Sequence, residues 1–227
     1  MTNLLRLLQL ADPALPIGGF SHSAGLETYV QHRIVKDKAT AKEFITTQLA
    51  QNIFYTDAAF VSLAYDAISN IEFENLVQLD EECTAIKLPR EMRQASQKLG
   101  LRLLKIFGTI KQNTFIDKYR SAIDKNLSTG HYSIVFGLYA YAMAIQKKEA
   151  LTGFYYNAAV GMVTNSVKLI PLGQQDGQEV LFSLHDLIDE LVDKSLTPDR
   201  DLIGLCCTGF DIRCMQHEEL YSRLYMS

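Results

Sequence analysis

The chain has 227 residues, 48% apolar and 21% charged, the balance of a folded globular protein and not of a disordered one. Its length allows one well-buried core, or at most two small ones. A net charge of −4 leaves no basic stripe to displace counterions, which excludes a general nucleic-acid binder. Met1–Leu10 is too short for a signal peptide and lacks the cleavage pattern. The longest apolar run, Ile134–Ile145, falls short of the roughly 20 residues that span a bilayer, so no membrane association is expected. Cysteine usage fits a reducing cytoplasm, since the adjacent Cys206 and Cys207 do not easily bond each other.

In chain order, Asn3–Ala11 places Leu4, Leu7, Leu8 and Ala11 on one side of a short amphipathic helix. Pro13 and Pro16 stop it. Ser21 and Ser23 stand where N-caps of a helix beginning near Gly25 are expected, and that helix runs to Gln31. Thr40–Ile68 is a long helical segment whose stripe (Ile45, Leu49, Ile53, then Phe60, Leu63, Ala67) changes phase at Tyr55–Asp57, which predicts a break there. Phe73–Leu88 is the next helix, carrying an Asp80–Glu81–Glu82 run that reads as a solvated face. Pro89 opens another at the first-turn position that proline favours, with Met92, Ala95, Leu99, Leu103 and Ile106 in line.

Phe115–Lys125 is amphipathic, whereas Ile134–Ala144 and Phe154–Val163 are apolar nearly all round and belong at the middle of a bundle or in a subunit interface. Gly173–Gly177 reads as a polar loop and Gln178–Val192 as one amphipathic helix that Thr197 and Pro198 end. The tail from Gln216 fits a short helix that buries Leu220, Tyr221 and Leu224 while Arg223 pairs with a carboxylate. No alternating stretch outscores the helical template. The expected architecture is all-α, a single-domain helical bundle of roughly ten helices over residues 1–227. The segment 1–24 and the tail 210–227 are read as docking ends for partners, because chain termini fray unless something holds them and Tyr, Met and Arg are enriched at interface centres.

The chemistry-bearing candidates are few. GGFSHSAG in Leu15–Glu27 follows a helical pattern and lacks Lys-Ser/Thr, so it is neither a Walker loop nor a dinucleotide fingerprint. The five histidines are scattered, and no carboxylate pair is isolated for acid-base work; no catalytic residue, cofactor or enzyme activity is expected. Cys206, Cys207, Cys214 and His217 are soft-ligand types within a dozen residues, and a nickel-binding carrier built on them is the alternative reading. The set lacks the paired CxxC spacing of structural zinc, and no metal site is assigned.

Five blocks occur in one order along the chain: LPIGGFSHSAGLE, KLPREMRQASQKLGLRLL (Lys87–Leu104), GHYSIVFG (Gly130–Gly137), SVKLIPLGQQDGQ (Ser166–Gln178) and DIRCMQHEELYSRLYMS (Asp211–Ser227). Together they resemble the UreF family of urease accessory proteins. The resemblance implies an all-α homodimer that binds UreD/UreH, recruits the GTPase UreG and helps deliver nickel to apo-urease. It implies partner-binding roles for Pro16, Gly18, Gly19, Phe20 and His22 in the first block and for Arg90, Glu91 and Arg93 in the second. The same holds for Lys168, Pro171, Gly173 and Gln174 in the fourth, and for Tyr221 and Arg223 in the tail.

Overall fold

A computed structural model describes residues 2–19, 22–23, 25–205, 207–221 and 223–225. Prolines, glycines and caps cut these into helices: α1 (Thr2–Leu10), α2 (Leu26–Gln31), α3 (Lys38–Thr47), α4 (Asp57–Ser69), α5 (Phe73–Ile86), α6 (Arg90–Ile110), α7 (Thr114–Asp124), α8 (Tyr132–Ala142), α9 (Lys147–Leu169), α10 (Gln174–Phe182), α11 (His185–Ser195) and α12 (Thr208–His217). Between α3 and α4 runs a π-helical turn, Gln48–Ile53. Asp37 and Asn113 cap α3 and α7 with side-chain oxygens, satisfying donors that have no partner inside the helix. Among the described residues there is no strand, and the helices form one domain.

The helix without a polar face is the centre of the domain. Ile134, Val135, Phe136, Leu138 and Tyr139 of α8 are fully buried, each contributing about 1.5–3 kcal/mol of apolar burial before chain entropy is charged. Around α8 lie α4, α6 and α9; α10 and α11 cover α9, α5 covers α4, and α12 rests on α2 and α6. α4 and α8 approach closely at Gly137, where a Cβ would stand 2.5 Å from the Val61 carbonyl oxygen and 3.1 Å from the Ala64 Cβ. No helix among the described residues is long and apolar enough to cross a membrane.

Several local expectations are corrected. Asp80 is not solvated but wholly buried. The Gly173–Gly177 stretch is not a loop, because α10 already starts at Gln174, and the helix expected over Gln178–Val192 is divided at Ser183–Leu184. Its apolar stripe continues across the division, since Val180, Leu181, Leu184, Ile188, Leu191 and Val192 are all buried. Ser23 caps nothing: α2 starts from Gly25 without a side-chain cap, and Ser21 lies outside the described residues. On α1 the buried side is Leu10 and Ala11 with Leu7, while Leu4, Leu5 and Leu8 face outward. The phase change at Tyr55–Asp57 is a real break, placed by the wide π-helical turn that precedes α4.

Substituting Gly137→Ala tests the α4–α8 contact. Helix propensity favours alanine by about 0.5–1 kcal/mol, but the added methyl has no room. Urea unfolding should show a net loss of roughly 1–3 kcal/mol.

Candidate functional site

Leu224 and Tyr225, near the end of the chain, are held by a buried carboxylate. Glu27, in the first turn of α2, is only 4% exposed. It accepts hydrogen bonds from the backbone N–H groups of Leu224 (2.8 Å) and Tyr225 (3.3 Å), and its Oε2 lies 3.1 Å from Nε2 of His217. The other ring nitrogen, Nδ1, is 2.8 Å from Oε2 of Glu91, whose Oε1 accepts from Nη1 of Arg223 at 2.8 Å. Burying an unpaired charge is costly, whereas these carboxylates are paired on both oxygens.

α2 reaches α12 because residue 25 is glycine. Its φ of +79° suits glycine, and a Cβ there would stand 2.8 Å from the Cys214 sulfur and 3.1 Å from the Phe210 ring. The first turn of α6 supplies the rest of the clamp. Arg90 donates to Glu218 at 2.8 Å, and Arg93 donates to the carbonyls of Lys87 (2.7 Å) and Leu88 (3.2 Å). The structure thus joins Arg90, Glu91 and Arg223 into one assembly with the tail, with Arg93 fixing the turn below. The expected tail helix is absent among the described residues 218–225. Tyr221 and Leu224 point to solvent, and Tyr225 is the buried residue. Backbone N–H groups spent on Glu27 are not available to a helical ladder.

A second buried carboxylate fixes the entry to α8. Asp80 accepts from Tyr119 Oη (2.8 Å), Thr129 Oγ1 (3.0 Å) and the backbone N–H groups of Thr129, Gly130 (3.2 Å) and His131 (3.1 Å). A carboxylate at a helix N-terminus also meets the positive end of the helix dipole. His131 is held between Ser96 Oγ (3.0 Å from Nδ1) and Thr84 Oγ1 (2.9 Å from Nε2). Burial pushes its pKa down from 6.5 to about 4. Lys87 and Arg93 push the same way, against Asp80 and Asp57.

The Gly-containing loop is tied at two points. Arg102 Nη1 donates to the Ile17 carbonyl at 2.9 Å, and Asn165 of α9 donates to the His22 carbonyl at 2.9 Å. Pro16 and Gly19 are exposed and His22 half-buried; burial, then Lys98 and Arg102, holds the His22 ring below its usual pKa. Phe20 lies outside the described residues. Lys168 stands in the last turn of α9, and Pro171, Gly173 and Gln174 form the turn into α10, all exposed. Gly173 is the cap of α10, and its N–H donates to Asp176 Oδ2 at 3.3 Å.

The cysteine–histidine set does not assemble into a metal centre among the described residues. Both His217 nitrogens face carboxylates, Glu27 and Glu91. Burial, with Asp211 and Glu91, pushes the Cys214 thiol far up, away from the thiolate a metal needs. Cys206 lies outside the described residues.

The UreF family model matches residues 35–185. Proteins named urease accessory protein UreF align from end to end: one from Actinobacillus pleuropneumoniae serotype 5b is 50% identical over 227 residues, covering the whole of both chains. One from Haemophilus influenzae is 51% identical over all of this chain and 97% of its own. A more distant one, from Bacillus sp. (strain TB-90), is 36% identical with both chains wholly covered. The chain belongs to the UreF family. The resemblance drawn from the five sequence blocks is therefore correct, and three of those blocks, carrying Glu27, Glu91 with Arg93, and His217 with Arg223, meet in this UreF chain at the tail clamp.

Sequence reasoning missed Glu27 and Asp80 as organising residues. Glu27 gave no clear signal, since it stands between Leu26 and the polar Thr28 and only the fold buries all three. Asp80 had none, because a run of three acids reads as surface.

His131 gives a pH dependence with a definite sign. Its folded pKa lies below the ordinary 6.5, so the unfolded chain takes up the proton first. Its contribution is complete above pH 6.5 and is lost as pH falls toward about 4. Unfolding free energy should drop by up to about 3 kcal/mol across that window, and a His131→Gln chain should show a flatter slope in urea titrations at pH 4.5, 5.5 and 7.

Proposed function

We propose that this chain is a scaffold of urease maturation that performs no covalent chemistry: a cytoplasmic homodimer that binds UreD/UreH, recruits the GTPase UreG and so positions nickel delivery to apo-urease. The full-length likeness to proteins named urease accessory protein UreF supports the setting. The observation that carries the docking role is the tail clamp. Polar and ionic contacts at the protein's edge hold the tail, while Tyr221 and Leu224 are offered to solvent. At the other terminus α1 presents Leu4, Leu5 and Leu8 outward. Large apolar groups at both ends, anchored but uncovered, suit a protein whose remaining burial is completed by other subunits.

In this reading Pro16, Gly18, Gly19, Phe20 and His22, the α6 turn with Arg90, Glu91 and Arg93, and the tail with Tyr221 and Arg223 serve UreD/UreH. Lys168, Pro171, Gly173 and Gln174 at the α9–α10 turn serve the GTPase side. Holding two partners in one geometry lets the nucleotide state of UreG govern nickel release without any metal ligand from this chain.

Two substitutions test it. Arg223→Ala should abolish co-purification with UreD/UreH while the helical circular dichroism stays unchanged; retained binding would remove the tail from the interface. Lys168→Ala should lower urease activation in cells without unfolding the protein, and undiminished activation would remove Lys168 from the surface used.

A further inference from the structure

A cavity of about 240 Å³ lies beneath the Pro13–His22 loop, walled by α6, α9 and the π-helical turn. Several of its polar groups are paired within the chain. Asn157 donates to the Ala11 carbonyl and Asn165 to the His22 carbonyl, both at 2.9 Å. Asn52 donates to Gln48 at 3.1 Å across the π-helical turn, whose wide pitch brings both amides to the cavity. Ser96 is engaged by His131 and by the Tyr132 N–H. The two full charges, Lys87 and Asp57, neutralise each other at 2.8 Å.

What remains of the wall is apolar and soft. Phe154 stacks with Tyr132 at 5.8 Å and 29°, and Met92, Leu99, Met162 and Phe210 complete the lining. Aromatic rings favour offset stacks, and thioether sulfurs make favourable contacts with ring edges. An engineered apolar cavity of roughly 150 Å³ takes benzene, so this one has room for a one- or two-ring group. Gly161, in the middle of α9, faces this space: a Cβ built there meets nothing within 4 Å.

We propose that this cavity receives an aromatic side chain of a protein partner, entering beside the loop that the scaffold reading assigns to UreD/UreH. The proposal rests on that reading for the identity of the partner and on the lining for the chemistry. The lining is mainly apolar, and its two full charges, Lys87 and Asp57, cancel each other, which sets a neutral aromatic group above a metal ion or an anion. At the edge of the cavity the Ile17 carbonyl accepts from Arg102 and the His22 carbonyl from Asn165. Anchors of this kind, a ring filling a pocket inside a ring of near-neutral contacts, dominate interface affinity.

The test uses the full chain with p-cresol and indole as probes. At a probe concentration tenfold above its Kd, the wild-type Tm should rise by about 3 °C. Gly161→Ala, which leaves most of the space open, should keep that rise, and Gly161→Leu, which fills it, should lose it while retaining the wild-type circular dichroism. Ala158→Leu, on the same wall, serves if Gly161→Leu fails to fold. With immobilised UreD/UreH, the filled variant should bind at least tenfold more weakly than wild type, and indole should compete with wild type. Absence of any probe-induced shift in the wild-type chain would overturn the proposal. Probe binding with an unaffected UreD/UreH complex would overturn the partner assignment and mark a small-molecule site instead. A wild-type chain that binds the probes but not UreD/UreH would refute the scaffold reading, and with it the partner, while leaving the chemistry of the cavity established.

Discussion

A carboxyl group withdrawn from water must find hydrogen-bond partners inside the protein, and that requirement at Glu27 shapes the functional end of this protein. With 4% exposure the side chain has little solvent to turn to. Two backbone N–H groups of the tail and one nitrogen of His217 supply what water would have supplied. Three distant parts of the chain, α2, the start of α6 and the C-terminal tail, are thereby fixed to one another. Removing one partner from such an arrangement leaves a charge stranded, which costs more than the pair itself contributes.

The same device recurs at Asp80. There a carboxylate collects the N–H groups that open α8 and a tyrosine hydroxyl from α7, so the most apolar helix begins at a fixed point. Tyr119 answers in kind: burial, and then the neighbouring Asp80, raises its phenol well above the ordinary range, and it remains a donor. Exposed pairs such as Lys148–Asp193 and Lys194–Glu190 lie in high dielectric and contribute little. Geometry in this chain comes from buried acids and close helix packing, not from its surface ion pairs.

The clamp and the cavity share a design. In both, several polar groups are paired inside the chain beside large apolar or aromatic surface: Tyr221 and Leu224 on the tail, and the Phe154 wall under the loop. A partner then gains by burying apolar surface without first breaking buried hydrogen bonds, so recognition and folding do not compete for the same groups. The Arg223–Glu91 bond is the outer part of the clamp, with the arginine side chain 36% exposed.

Periodicity alone determined a great deal here. The all-helical class, the break before Asp57, the stripe through Leu184 and Leu191, and the central place of Ile134–Ala140 follow from residue spacing, because a helix without a polar face has nowhere to go but inside. The five blocks named the family, and they included Glu91 and Arg223. Tertiary structure alone decided which polar residues leave the surface. Asp80 and Glu27 look like ordinary acids in sequence. Their burial depends on donors that lie 39 to 51 residues away for Asp80 and 190 to 198 for Glu27. The tail's conformation was likewise undetermined locally: Leu220 and Leu224 suit a helix, but its N–H groups are better used on a carboxylate that only the folded chain brings within reach.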